Sequence, residues 1–137
     1  MRFIQETGFR VRQGRTSAFQ EWVAANEARF KHAYPEGTEL LGIYVVVFGS
    51  EKGTGEARIL EALDSYGALD RLAALSRDPD GEMSKVGREF DAFIDPDPDA
   101  PGCQFLLKHI VDATVWDLPA EEEADRTHAE AVGSPKP

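Results

Sequence analysis

The sequence predicts an α+β domain in which two strand–helix–strand halves share one antiparallel sheet. Three observations carry this reading. Residues 3–11 alternate at the two-residue period of a half-buried strand, residues 19–33 repeat apolar side chains at helical spacing, and the same succession returns after residue 57. The chain has 137 residues, 42 % of them hydrophobic, which suits one domain with a core of its own. Lysine and arginine total 15 against 25 aspartate and glutamate, a net charge of −10. That balance disfavours non-specific nucleic-acid binding, which rests on cationic contacts to phosphate.

The first strand is expected over Phe3 to Val11. Phe3, Phe9 and Val11 share one parity, and Gln5 and Thr7 fall on the same apolar side. Gln13-Gly14-Arg15 reads as a turn. Ser17 with Gln20 three residues later fits a capping box, so a helix starts near Ser17. Phe19, Trp22, Val23, Phe30 and Ala33 form its apolar stripe, and Pro35-Glu36-Gly37 stops it. The second strand is expected over Leu40 to Gly49. Its run Ile43 to Phe48 is almost continuously apolar, which asks for cover on both faces.

A polar, glycine-rich loop over Ser50 to Gly55 leads to a third strand, Ala57 to Leu63. Ser65 caps a helix carrying Leu69, Leu72, Ala73 and Leu75. Asp78-Pro79-Asp80-Gly81 interrupts that helix, and the pattern resumes with Met83, Val86, Phe90, Phe93 and Ile94. A proline-rich loop over Asp95 to Gly102 precedes a last strand, Gln104 to Trp116. The domain is therefore placed at residues 1–118. Residues 119–137, with Glu121-Glu122-Glu123, read as an acidic tail too poor in apolar residues to fold alone.

The order β-α-β-β-α-β implies a ferredoxin-like α+β fold. Its antiparallel sheet runs 4-1-3-2 with two helices on one face. The second strand's demand for double cover points to a homodimer, with a partner laid on the free sheet face. No apolar run is long enough to span a membrane, and no signal-peptide core opens the chain. The one cysteine, Cys103, leaves no internal disulfide. A cytoplasmic protein with neither membrane nor nucleic-acid partner is the resulting expectation.

The opening strand Phe3 to Val11, the long strand Leu40 to Phe48 and the join Asp64-Ser65-Tyr66-Gly67-Ala68-Leu69 resemble the dimeric α+β barrel superfamily. That superfamily includes antibiotic-biosynthesis monooxygenases, NIPSNAP-like and EthD-like proteins. The resemblance covers residues 1 to about 117. It implies two sheets packed face to face and a small-molecule pocket between each sheet and its own helices. It also implies chemistry that is often cofactor-independent, such as oxygenation or isomerisation. The haem-degrading branch pairs an asparagine on the first strand with a histidine on the second helix. This chain has Gln5 and Thr7 on the first strand and no histidine within residues 66–94.

Among individual residues, Asn26 falls at the centre of the first helix's apolar stripe, where a buried amide needs a partner. His109 shares parity with Phe105, Leu107 and Val111, and its ordinary pKa suits proton transfer near neutral pH. His109 is thus the candidate catalytic proton acceptor. Asn26, Tyr44, Gln5 and Thr7 are candidate substrate-binding groups, with Trp22 and Tyr66 as aromatic walls. For each, core packing is the competing role. His32 points away from the stripe towards solvent. Asp95, Asp97 and Asp99 alternate as in a calcium loop but lack its glycine and closing glutamate, so no metal is expected. A cofactor-independent monooxygenase or isomerase acting on a small aromatic or polyketide-like molecule is one functional expectation. A non-catalytic ligand- or partner-binding accessory protein is the other. A pocket filled by Trp22, Phe30 and Phe90, with no cavity left, would favour the second.

Overall fold

A computed structural model describes residues 3–50, 53–97 and 104–110. Its elements are β1 (Phe3–Phe9), α1 (Thr16–Ala33), β2 (Thr38–Val45), β3 (Ala57–Leu63), α2 (Ala68–Ser76), α3 (Glu82–Asp91) and β4 (Gln104–Lys108). The sheet order is β2-β3-β1-β4, the expected topology, and β3 pairs antiparallel with both β1 and β2. Chain contacts divide the molecule into a unit that ends at Leu107 and a second that opens at Lys108. No helix among the described residues is long and apolar enough to cross a membrane.

The predicted parity holds on the central strands. Gln5, Thr7 and Phe9 pair with Glu61, Ile59 and Ala57, and these residues form the face that meets the helices. On β2 a bulge keeps that face apolar. Leu40 pairs with Glu61, but Gly42 pairs with Leu60, so Leu41 is the extra residue. The bulge returns Ile43, three positions after Leu40, to the helix side opposite Ile59. Gly42 is required here: its φ is +156°, and an added Cβ would sit 3.0 Å from the Tyr44 ring.

Six aromatic rings join the helices to the sheet. Phe90 of α3 lies 5.0 Å from Phe9, 5.8 Å from Phe19, 6.0 Å from Trp22 and 5.6 Å from Phe30, measured between ring centroids. Phe93 closes the group against Phe19 at 5.5 Å. Val86 is fully buried beside them.

Several boundaries differ from expectation. The first helix begins without its capping box. Arg15 occupies the cap position, no side chain caps the end, and Phe19 N–H bonds the Arg15 carbonyl. Ser65 likewise does not cap α2 by its side chain; its carbonyl accepts from Ala68 N–H, and Gly67 holds the cap position. Asp78 to Gly81 does more than interrupt the second helix, since it divides that helix into α2 and α3. Proline at position 79 removes a donor, and Asp78 satisfies the Asp80 N–H instead. β1 ends at Phe9, and Val11 forms only an isolated bridge with Ile94. β2 ends at Val45, four residues early. Val47 and Phe48 are 82 % and 84 % exposed, so the chain itself does not give that run its double cover. The expected stretch of last strand beyond Ile110, the acidic tail, Cys103 and His128 lie outside the described residues.

The ring cluster makes a direct stability prediction. Phe90→Ala should destabilise the fold by about 3–5 kcal/mol in urea unfolding, the usual cost of emptying an aromatic site. A loss below about 1 kcal/mol would show that Phe90 is not central to the core.

Candidate functional site

The aromatic cluster occupies the middle of the space between helices and sheet. Trp22, Phe30 and Phe90 pack ring to ring there, with Trp22 to Phe30 at 6.4 Å. Open space remains at the borders of the cluster. A groove of about 330 Å³ is lined by Val11, Phe19, Val23, Ile43, Val45 and Ala57, with Thr16, Gln20 and Tyr44 supplying polar groups. It runs between the first half of α1 and the β2–β3 hairpin, and no charged side chain lines it. A second cavity, of about 400 Å³, lies among α1, α2 and α3. Its walls include Phe30, Leu72, Met83 and Phe90, and its polar lining includes Arg77, Arg88 and Asp91.

The groove's apolar wall follows from two local causes. Helical spacing puts Phe19 and Val23 one turn apart on α1. The β2 bulge aims Ile43 toward them. Glu27, one turn further along α1, accepts a hydrogen bond from Ile43 N–H at 3.2 Å. This satisfies a backbone donor of the edge strand and fixes the distance between α1 and β2.

A buried polar group lies on the same sheet face. Glu61, 5 % exposed, lies on β3 between Leu40 and Gln5, and Tyr34 at the end of α1 reaches it. Burial raises the Glu61 carboxyl above its ordinary range; hydrogen bonds from Tyr34 and Gln5 oppose the rise without cancelling it. The Tyr34 hydroxyl is raised as well, first by burial and then by the nearby Glu61 charge, so it stays protonated. Glu61 forms no ion pair among the described residues.

The predicted site residues separate. Gln5 is buried and belongs to the Glu61 group. Thr7 is half-buried on the same face, opposite Ile59. Tyr44 is 53 % exposed and lines the groove. Asn26 lines neither hollow: its amide donates to the Trp22 carbonyl one turn back at 3.0 Å and accepts from Arg29. Its polarity is thus spent within α1. Trp22 is a core ring whose indole N–H bonds Glu89 at 3.3 Å. Glu89 is held below its ordinary range, first by its hydrogen bond from Arg29, which also pairs with Glu82. Tyr66 is 67 % exposed in the β3–α2 turn, so it walls neither hollow. His109 follows the end of β4 in an exposed position, not on the buried strand face expected of it. His32 is exposed, as expected. Glu61 and Tyr34 were absent from the sequence-derived set. The signal for Glu61 was its parity, since it alternates with Ile59 and Leu63 and so faces the core.

No protein-family model matches the chain, and no curated protein matches it. Solved structures do. A NIPSNAP family protein from Agrobacterium tumefaciens superposes with a TM-score of 0.55 at 13 % identity, covering 78 % of this chain and 91 % of that one. An uncharacterised NIPSNAP domain protein from Burkholderia xenovorans gives 0.57 at 12 % identity, covering 81 % and 97 %. A candidate antibiotic biosynthesis monooxygenase from Nitrosomonas europaea gives 0.50 at 12 % identity, covering 79 % and 98 %. The fold is therefore the one these NIPSNAP and monooxygenase-like structures share, as the resemblance implied. At these identities the likeness is one of fold, and it assigns no activity.

The buried carboxyl predicts how stability depends on pH. A folded-state pKa above the ordinary 4.5 means the native state binds the Glu61 proton more tightly than the unfolded chain. The resulting stabilisation is complete below the unfolded value and is lost as pH rises through the folded one. Glu61→Gln, neutral at all pH, should exceed the wild type in Tm at pH 8, with the gap closing toward pH 4. A variant less stable than the wild type at pH 8 would contradict the direction.

Proposed function

We propose that this protein binds a small, uncharged, mainly apolar molecule in the groove between α1 and the β2–β3 hairpin. The carrying observation is the groove's lining: six apolar residues, three neutral polar ones and no charge. Such a surface favours an aromatic or polyketide-like body through apolar contact. A phenol or carbonyl on that body finds hydrogen-bond partners in the Tyr44 hydroxyl, the Gln20 amide and the Thr16 hydroxyl. Charged ligands are disfavoured, because no counter-charge offsets their desolvation. Trp22, Phe30 and Phe90 pack ring to ring across the middle of the helix–sheet space, so the ligand is assigned to the border of that cluster.

A thermal-shift screen of neutral phenols, quinols and polyketides tests this reading. A ligand present at 100 times its Kd should add about 2.7 kcal/mol of stability, a shift of several degrees. Val23→Trp, which fills the groove from α1, should abolish that shift. Thr16→Trp, on the exposed rim, is the second block should the first variant not fold. The reading fails if no neutral ligand stabilises the protein, or if both blocked variants respond like the wild type.

We also propose that the chain forms a homodimer through its sheet. The support is exposed apolar surface on adjacent strands: Ile4 on β1 at 40 %, and on β4 Phe105 and Leu107 at 53 % and 49 % on one face, with Leu106 at 38 % on the other. A monomer gains nothing from such surface, whereas a partner sheet removes it from water. Light scattering on the eluting protein should give twice the 15.1 kDa chain mass, and Phe105→Asp should return it to the monomer value. A monomeric wild type at micromolar concentration would end this proposal.

A further inference from the structure

The cavity among α1, α2 and α3 shares no lining residue with the groove beside β2. Its walls are fixed by hydrogen bonds that cross between α2 and α3. Ser84 Oγ donates to the Ser76 carbonyl at 3.0 Å and lies 3.4 Å from the Leu75 carbonyl, so the start of α3 is tied to the end of α2. Arg88 Nη1, one turn further along α3, donates to the Pro79 carbonyl at 3.2 Å. Ser76 Oγ is spent on the Leu72 carbonyl at 3.0 Å. The floor is apolar: Phe30, Met83 and Phe90 are buried core residues, and Leu72 packs against that core. Gly87 also lines the cavity, in the middle of α3 and one turn from both Met83 and Asp91. A glycine inside a helix lowers its stability relative to alanine. Neither backbone nor packing requires it here: its φ is not positive, and a Cβ would meet no heavy atom within 4 Å. What the glycine provides is open space over the apolar floor.

The charge at this cavity runs against that of the chain. Arg77, Arg88 and Asp91 line it, two cations against one anion, in a chain with a net charge of −10. Arg29, Arg58 and Arg71 each pair with at least one carboxylate, whereas among the described residues Arg77 and Arg88 pair with none. Asp78, in the turn between α2 and α3, accepts from Asp80 N–H at 3.1 Å, and neither of these aspartates lines the cavity. Both serine hydroxyls donate to backbone carbonyls, so the guanidinium N–H groups are the donors left to a ligand. An arginine offers a carboxylate two parallel N–H bonds, and the local excess of one positive charge matches a monoanion.

We propose that this cavity is a second binding site, which takes a small monocarboxylate with a compact apolar body: the body packs on Phe30, Leu72, Met83 and Phe90, and the carboxylate accepts hydrogen bonds from Arg77 and Arg88. The volume of about 400 Å³ lies within the range usual for small-molecule sites. The site is independent of groove binding and reverses the groove's preference. A neutral molecule leaves the two guanidiniums without a counter-charge, whereas an organic acid satisfies them and still covers the apolar floor.

The test is a two-dimensional amide NMR titration of the full chain with phenylacetate at neutral pH, repeated with its neutral counterpart phenylacetamide. Phenylacetate should give saturable shifts centred on the backbone amides of Leu72, Ser84, Gly87 and Arg88. Phenylacetamide should bind at those positions about tenfold more weakly, the loss expected when charge-assisted hydrogen bonds become neutral ones. Arg77→Gln and Arg88→Gln should each weaken phenylacetate about fivefold. Lys85→Gln removes the same charge from α3 at a position that does not line the cavity, and should leave the Kd unchanged. Gly87→Leu, which fills the open space, should abolish the shifts. The proposal is overturned if phenylacetate gives no saturable shift at these amides, if the neutral amide binds there as tightly, or if Lys85→Gln weakens binding as much as Arg88→Gln. The comparison of acid with amide uses the wild type alone, so the outcome does not depend on any variant folding.

Discussion

The structure depends on the contact of Phe90 with four rings from two other elements of the chain. Phe9 brings β1 to it, and Phe19, Trp22 and Phe30 bring the face of α1 that meets the sheet. Each ring buries a large apolar surface, and the near-perpendicular and tilted geometries suit the ring quadrupoles. This cluster fixes α3 over the sheet, and α3 fixes α1 in turn. The surface network of Arg29 with Glu82 and Glu89 lies over the same junction, but exposed pairs of this kind add little beyond orientation. With the centre filled by rings, any ligand must bind at the borders of the cluster.

Polar chemistry enters this apolar layer at two points, and each has a structural consequence. Glu27 reaches from α1 to the Ile43 N–H exposed by the bulge, so the edge strand is both satisfied and shielded. Glu61 faces the helices from the central strand with Tyr34 and Gln5 as its partners. The first stabilises the fold, because it satisfies a backbone donor of the edge strand. The second works against neutral-pH stability, because a buried carboxyl prefers its proton. A polar group retained at such a cost is a candidate for a role beyond packing.

Much of the fold was legible because its signals are periodic. The alternation of Phe3, Phe9 and the residues between them placed β1 correctly on its helix-facing side. The stripe from Phe19 to Ala33 placed α1, and Asp78-Pro79-Asp80-Gly81 marked where the second helix breaks. The bulge was not legible, since the run from Ile43 to Phe48 looks the same whether a strand is covered twice or shifted by one residue. The site was less legible than the fold. Gln5 was singled out and lies beside Glu61, and Tyr44 was singled out and lines the groove. Asn26 misled because a side-chain amide on a helical stripe can spend its hydrogen bonds on its own helix. His109 misled because strand parity was extended past the point where β4 ends. Glu61 carried the right signal, inward parity on a central strand, and only direct inspection of the alternation 59-61-63 would have shown it.

The two hollows differ in a way that decides the functional reading. The cavity among the helices is rimmed by Arg77, Arg88 and Asp91, whereas the groove beside β2 carries no charge. The proposed binding of a neutral apolar molecule therefore falls on the groove lined by Val23, Ile43 and Tyr44. A two-dimensional amide NMR titration with p-cresol, a small neutral phenol, tests this most directly. The account predicts saturable shifts centred on Val11, Val23, Ile43 and Tyr44. Saturable shifts centred instead on Leu72, Ser84 and Arg88, or no saturable shift at any accessible concentration, would contradict it.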